Sequence, residues 1–383
     1  MKRNSRKQFR KQSIYNQSLC FRKPGSNDAI LIFQNGVLGD FITILGLAQY
    51  VKDHEELPIC LLTTSNFGGF LNNFCGEKAL FKSVFFYDAK KFNTDAAYNK
   101  QFFEQFNGYH FKKILVTGSV RNIDSDLAVL ALNGDSCSII SDEHFGVNRL
   151  LKHKMNNRFS FVFHTKRLMS RQEKLRGLMR GAGYSDYCVA LPSVSVKNNS
   201  PEKKFFVSMV PFSSSKTKNW PLNNYLSLAR ELYVEYGVET LFLGKAEKDQ
   251  MAQIPECDGI INKLNSTSTS EFVDLIGESL VCVGNDSACA HISVATKTPS
   301  ICLLGGVAGF EFFPYKDCSN RPVPYQIIEY SWPRCSNCNA KHKLIHFFRC
   351  ESKGIERCIA KIPYSQVRDH LLALVWLRLR PQS

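Results

Sequence analysis

The chain has 383 residues, 44% of them hydrophobic and 22% charged, which is too much for one ordinary core and too apolar for a disordered chain. A formal charge of +15 favours anionic partners, among them nucleic acid, anionic lipid headgroups, phosphorylated glycans and nucleotides, without choosing among them. Several of the 14 cysteines, including Cys60, Cys282, Cys289 and Cys302, are scattered through apolar segments, which reads as buried thiols and not as a secreted disulfide framework.

Residues 1–24 form a basic tail, with Lys2, Arg3, Arg6, Lys7, Arg10 and Lys11 and no acid in the first twelve positions. A solvated tail and electrostatic attachment to anionic lipid are both open readings. No apolar signal core follows, so no secretory signal is expected. The apolar stretch Ala29–Val51 has Asn35, Gly36, Gly39 and Asp40 at its centre. That predicts a strand, a tight turn and a helix in place of a membrane span. The expectation is a cytoplasmic protein, at most peripheral at the inner membrane.

From Asp28 onward strands and helices alternate. Strands are predicted at 29–33, 58–62, 83–87 and 113–116, with a helix over 41–52. A basic stretch, Arg149–Arg180, holds ten Lys or Arg residues against the single acid Glu173 and reads as a solvated helix or an anion-binding surface. The polar segment Lys197–Pro201 reads as a linker. Alternation then restarts, with strands at 205–210, 238–243, 280–283 and 300–304 and helices at 223–236, 269–278 and 287–296. A last helix over 364–379 has apolar positions suited to core packing. The expected class is α/β, with two Rossmann-like domains over 25–196 and 203–383 and a ligand beyond the strand ends.

Three strand-to-helix turns carry polar chemistry. In Gln34–Phe41, Gly36 and Gly39 permit a tight turn, and Asp40 is either a helix cap or a general base. In Pro211–Pro221, the hydroxyls of Ser213 and Ser214 and the ammonium of Lys218 can hold a diphosphate, or can simply be solvated. In Gly284–His291, Ser287 and the following amides offer donors to an anion at a helix start. Asp286 suits a sugar or ribose hydroxyl, or a cap. His291 lies one turn after Ser287, as a ligand contact or a packed core histidine. Asp124-Ser125-Asp126 can in principle hold a divalent cation, but such a triplet is common by chance.

Taken in order, Gly36-Val-Leu-Gly-Asp40, Ser213-Ser214 with Lys218-Asn-Trp-Pro221, Gly284–His291 and Thr298-Pro299 resemble the heptosyltransferase family of bacterial lipopolysaccharide synthesis, glycosyltransferase family 9. The likeness runs from about residue 29 to 315. It implies a GT-B fold, two facing Rossmann-like domains with an interdomain cleft. It also implies an inverting transferase that takes heptose from ADP-heptose, with no metal needed for the chemistry. By matching position Asp40 is the base, and Ser213, Ser214, Lys218, Asp286, Ser287, Ala288 and His291 lie at the donor. Glu247 is matched to the ribose or base. Ala288 and Gly46 depart from the family, where glycine and proline respectively are usual.

Cys335, Cys338, Cys350 and Cys358 follow the spacing C-x2-C-x11-C-x7-C in a Cys-rich segment, 335–358. Four thiolates suit structural iron or zinc, and reduced thiols or a disulfide remain the alternative. Relatives that glycosylate autotransporter proteins carry iron on four cysteines, so the resemblance favours iron. The implied acceptor is an acidic inner-core glycolipid, with protein serine as the alternative. A basic nucleic-acid-binding protein is the alternative from another class, but no recognised module supports it, and no nucleic-acid partner is expected.

Overall fold

The computed structural model describes residues 27–76, 79–118, 123–132, 135–141, 153, 155–165, 169–188, 190–196, 205–305, 309–330, 351–352 and 355–380. The chain forms two compact units, Met1–Ala190 and Leu191–Ser383. The expected linker at Lys197–Pro201 and the basic tail lie outside the described residues.

The first unit is built on a six-stranded parallel sheet. Its strands are β1 (Asn27–Gln34), β2 (Ile59–Thr63), β3 (Ser83–Phe86), β4 (Tyr109–Val116), β5 (Ser136–Ser141) and β6 (Phe161–His164), in the order β3-β2-β1-β4-β5-β6. Strand β1 is buried from Ala29 through Gln34, as a central strand covered on both faces must be. Between strands run α1 (Leu38–His54), α2 (Ala89–Thr94), α3 (Ala96–Glu104), α4 (Ile123–Leu130) and, after β6, α5 (Arg171–Gly181).

Helix α1 departs from the simple amphipathic expectation. Phe41 through Ala48 are all buried, so both faces of the helix are covered. The outer cover comes from the short helical turn Gly68–Phe74, where Phe70 and Phe74 meet Phe41 edge-on with centroids 6.4 and 5.6 Å away. Across the sheet, Phe92, Phe102, Phe103 and Phe106 form a second aromatic layer, with Phe92 and Phe102 at 5.3 Å and 80°. Edge-to-face rings fill such a layer with little strain.

The second unit repeats the plan. Its parallel strands are β7 (Phe206–Val210), β8 (Glu239–Phe242), β9 (Ile260–Asn262), β10 (Cys282–Asn285), β11 (Ser300–Leu303) and β12 (Gln326–Glu329), in the order β12-β11-β10-β7-β8-β9. Among the described residues its α-helices are α6 (Leu222–Tyr236), α7 (Lys248–Met251), α8 (Thr269–Glu278), α9 (Ala288–Thr296) and α10 (Gly309–Phe312), with α11 (Arg357–Ala360) and α12 (Tyr364–Leu379) at the end. Gly237 closes α6 in the left-handed conformation, at φ 63°, which glycine adopts without cost. Val367, Leu371 and Val375 of α12 are fully buried in the core of this same unit, together with Trp220 and Tyr225. Tyr364 donates to Glu231 on α6 at 2.6 Å, and Arg368 also bonds Glu231, which ties the last helix down.

Each sheet has the doubly wound order in which connections change direction beside the first strand, between β1 and β4 and between β7 and β10. Loops leaving the carboxyl ends of those strands diverge and open a crevice for ligands. The turns after β1, β7 and β10 are the three singled out by sequence. Among the described residues, no helix is long and apolar enough to cross a membrane.

Candidate active site

In the first unit the chain leaves β1 at Gln34 and turns through Asn35, Gly36 and Val37 into α1. Asp40 sits in the first helical turn, half-buried, and its Oδ2 accepts the Val37 N–H at 3.2 Å. The carboxylate thus folds back over Gly36, where an added Cβ would fall 2.3 Å from Asp40 Oδ2. Only a glycine permits that approach. Gly39 is buried in the same turn. Across the strand boundary, Asn35 packs on the Gly118 backbone, where a Cβ would meet its Oδ1 at 1.7 Å. Asp40 therefore does cap its helix, and its carboxylate stands at the carboxyl end of β1, the position required of a base that serves a ligand there.

In the second unit two loops meet. Lys218, after β7, donates to Asp286, after β10, at 2.8 Å. The Asp286 side chain is 8% exposed and that of Lys218 is 23% exposed, so the pair is only partly open to water. An aspartate at a helix start suited to an anion is awkward by itself; here it sits against a cation. An ammonium has three N–H donors, and Asp286 takes one of them. Ser213 donates its hydroxyl to Ser215 O at 2.8 Å and to Asn219 Oδ1 at 3.0 Å, while Ser214 is exposed. Ser213 thus shapes the loop, and Ser214 offers its hydroxyl outward.

Ser287 is the residue before α9, and its side chain makes no capping hydrogen bond. Its Oγ lies 3.2 Å from Cys289 Sγ. Leaving the cap unused keeps the first-turn amides of α9, beginning at Ala288, as candidate anion donors. Gly284 lies under this turn: a Cβ there would meet Cys289 Sγ at 2.4 Å. Cys282, Cys289 and Cys302 are free buried thiols, as is Cys60 in the first unit, while Cys188 and Cys318 are disulfide-bonded.

His291 is 5% exposed; its Nδ1 meets Tyr315 Oη at 2.8 Å and its ring stacks on Phe313 at 4.9 Å. Of its two sequence readings, the structure displays the packed histidine. Glu247 lies before α7, beyond the carboxyl end of β8, and pairs with Lys216 at 2.6 Å. Hydrogen bonding to that carboxylate holds the Lys216 ammonium above its ordinary pKa. Asn265 braces the same turn through both the N–H and the carbonyl of Ala246.

Sequence reasoning did not single out Asn285. It is fully buried, and its Nδ2 donates to Pro211 O at 2.7 Å. Its Oδ1 accepts from the Trp220 N–H at 3.0 Å and the Tyr225 hydroxyl at 3.1 Å. One side chain thereby fixes both ends of the Lys218 loop to the last residue of β10, directly before Asp286. Its place between glycine and aspartate in the motif was the available signal.

Cys335, Cys338 and Cys350 lie outside the described residues, and Cys358 is buried. Among the described residues, no group of three or more His, Cys, Asp or Glu is arranged to hold a metal ion, Asp124 and Asp126 included.

Residues 153–321 match the family model for glycosyltransferase family 9 (heptosyltransferase). The match spans Lys218, Asp286 and His291, but not Asp40 or the cysteine-rich segment. No curated protein matches the chain. Among solved structures, the glycosyl transferase family 9 protein of Veillonella parvula aligns with TM-score 0.68 at 12% identity, covering 92% of this chain and 98% of that one. ADP-heptose lps heptosyltransferase II of E. coli aligns at 0.64 and 14% identity, covering 92% and 100%. The iron-containing dodecameric glycosyltransferase TibC of enterotoxigenic E. coli aligns at 0.52 and 14%, covering 91% and 77%. At these identities the likeness establishes the GT-B fold. With that fold, the match over 153–321 marks this segment as a glycosyltransferase family 9 (heptosyltransferase) domain and supports a glycosyltransferase.

Proposed function

We propose that the protein transfers heptose from ADP-heptose, with inversion, to a hydroxyl of an acidic inner-core glycolipid of lipopolysaccharide. The Lys218–Asp286 pair, at the switch point between β7 and β10, carries this reading. It sets a cation beside the first turn of α9, where a leaving diphosphate gains charge as the glycosidic bond breaks. Donors aimed at that charge stabilise the transition state more than the ground state. Ser213, Ser214, Ser287, Ala288 and Glu247 complete the donor side. The buried His291 supports its wall through Tyr315. Asp40 takes the proton of the attacking hydroxyl.

ADP-heptose as donor is supported by the name of the E. coli heptosyltransferase II, which shares the fold. The acidic acceptor, and contact with an anionic membrane surface, are supported by the formal charge of +15. The alternative acceptor is a protein serine, suggested by the cysteine spacing and by the likeness to iron-containing TibC. Being a glycosyltransferase, the chain gives no reason to retain the nucleic-acid-binding alternative.

Labelled ADP-heptose incubated with the enzyme and both acceptors separates the two readings. Label is expected in a heptose-deficient inner-core glycolipid. Label confined to an autotransporter passenger domain would replace the glycolipid by protein serine.

A further inference from the structure

Arg171 belongs to a stretch whose charge suggests a solvated surface, yet it is 2% exposed. It is the first residue of α5, where the positive end of the helix dipole disfavours a cation. Its Nη2 donates to the Thr117 carbonyl and, at 3.4 Å, to Gln34 Oε1. Thr117 in turn donates its hydroxyl to Gln34 Oε1 at 2.7 Å and its N–H to Phe33 O at 2.9 Å. Gln34 is fully buried and is the last residue of β1, followed directly by the Asn35-Gly36 turn into the helix of Asp40. Asn35 packs on Gly118, the residue after Thr117. One guanidinium therefore ties the ends of β1 and β4 together at the topological switch point of the first sheet.

We infer that Arg171 is a positioning residue for transfer: it holds the Gln34–Gly36 exit from β1 and thereby the placement of the Asp40 carboxylate. This rests on the reading of Asp40 as the base. Burying a guanidinium is costly, and an apolar side chain of similar length commonly replaces a buried charge with little loss of stability. A cation kept at this place against both burial and the helix dipole marks a demand on geometry. One nitrogen, Nη2, reaches both oxygens, and the rigid planar guanidinium fixes its direction more firmly than a rotating ammonium would.

The test compares the full-length protein with Arg171→Met, Arg171→Lys, Asp40→Asn and the double variant Arg171→Met/Asp40→Asn. Arg171→Met is expected to melt within about 5 °C of the parent. Its kcat for transfer is expected to fall about 100-fold, because a small misplacement of a reacting group has that effect. Donor KM should stay within about twofold, and Arg171→Lys should recover part of the rate. In the Asp40→Asn background, Arg171→Met should change kcat by less than about twofold, since the two act as a unit. An unchanged kcat in Arg171→Met, or a full additional loss in the double variant, overturns the inference. If Arg171→Met does not fold, Gln34→Met removes the same oxygen and must show the same loss and the same non-additivity. Near-normal turnover of Asp40→Asn alone removes the base assignment, and with it the role of Arg171; a normal Arg171→Met beside an inactive Asp40→Asn removes only the latter.

Discussion

Asp40→Asn is expected to abolish most transfer while donor affinity is kept. The amide oxygen can still accept the Val37 N–H that Asp40 takes at 3.2 Å, so the start of α1 survives. What disappears is a group able to take a proton. Loss of general-base catalysis lowers turnover by about 10²–10⁴-fold. Donor affinity should hold, because the proposed donor residues Lys218, Asp286 and Ser287 all belong to the second unit. Single-turnover transfer beside a donor titration makes the comparison. Near-normal turnover would take Asp40 out of the chemistry and leave it as a helix cap.

Asn285→Ala should have the largest effect on stability. Trp220 N–H, Tyr225 O–H and Pro211 C=O each lose their partner, in a part of the second unit that is shut off from water. A buried polar group left unpaired costs about 1–3 kcal/mol. With partial relaxation and non-additivity, roughly 3 kcal/mol in total is expected, a large share of ordinary domain stability. The Lys218 loop would be released at both ends, so donor affinity should fall as well. Denaturant unfolding measures the first effect and calorimetric titration the second. A loss below about 1 kcal/mol would show that the loop is held by other contacts.

The contrast between these two residues shows what could be read from sequence. Asp40 was legible because its partners are local: Gly36, Val37 and the start of α1 are contiguous, and a glycine turn after an apolar strand has one usual meaning. The alternation of strands and helices was legible for the same reason, and so were the turns after β7 and β10. Asn285 was not, since its partners Pro211, Trp220 and Tyr225 stand 60 to 74 positions away. Arg171 was hidden by composition: among ten basic residues it looks solvated, and only the pairing of β1 with β4 creates the oxygens that hold it. For Asp286 the sequence posed a difficulty, a carboxylate where phosphates are expected. Its partner Lys218 lies 68 positions away, so the sequence could not show that the carboxylate is offset by a cation. His291, which standing alone reads more often as a packed core histidine, is indeed packed against Tyr315 and Phe313.

In the proposed function the second unit holds a nucleoside diphosphate at Lys218 and the first turn of α9. Calorimetric titration of ADP into the full-length protein and into Lys218→Met tests it most directly. ADP is expected to bind the parent, and the variant is expected to bind at least about tenfold more weakly, a loss of about 1.4 kcal/mol. Equal affinity in the two proteins, or no binding of ADP to either, would contradict the account.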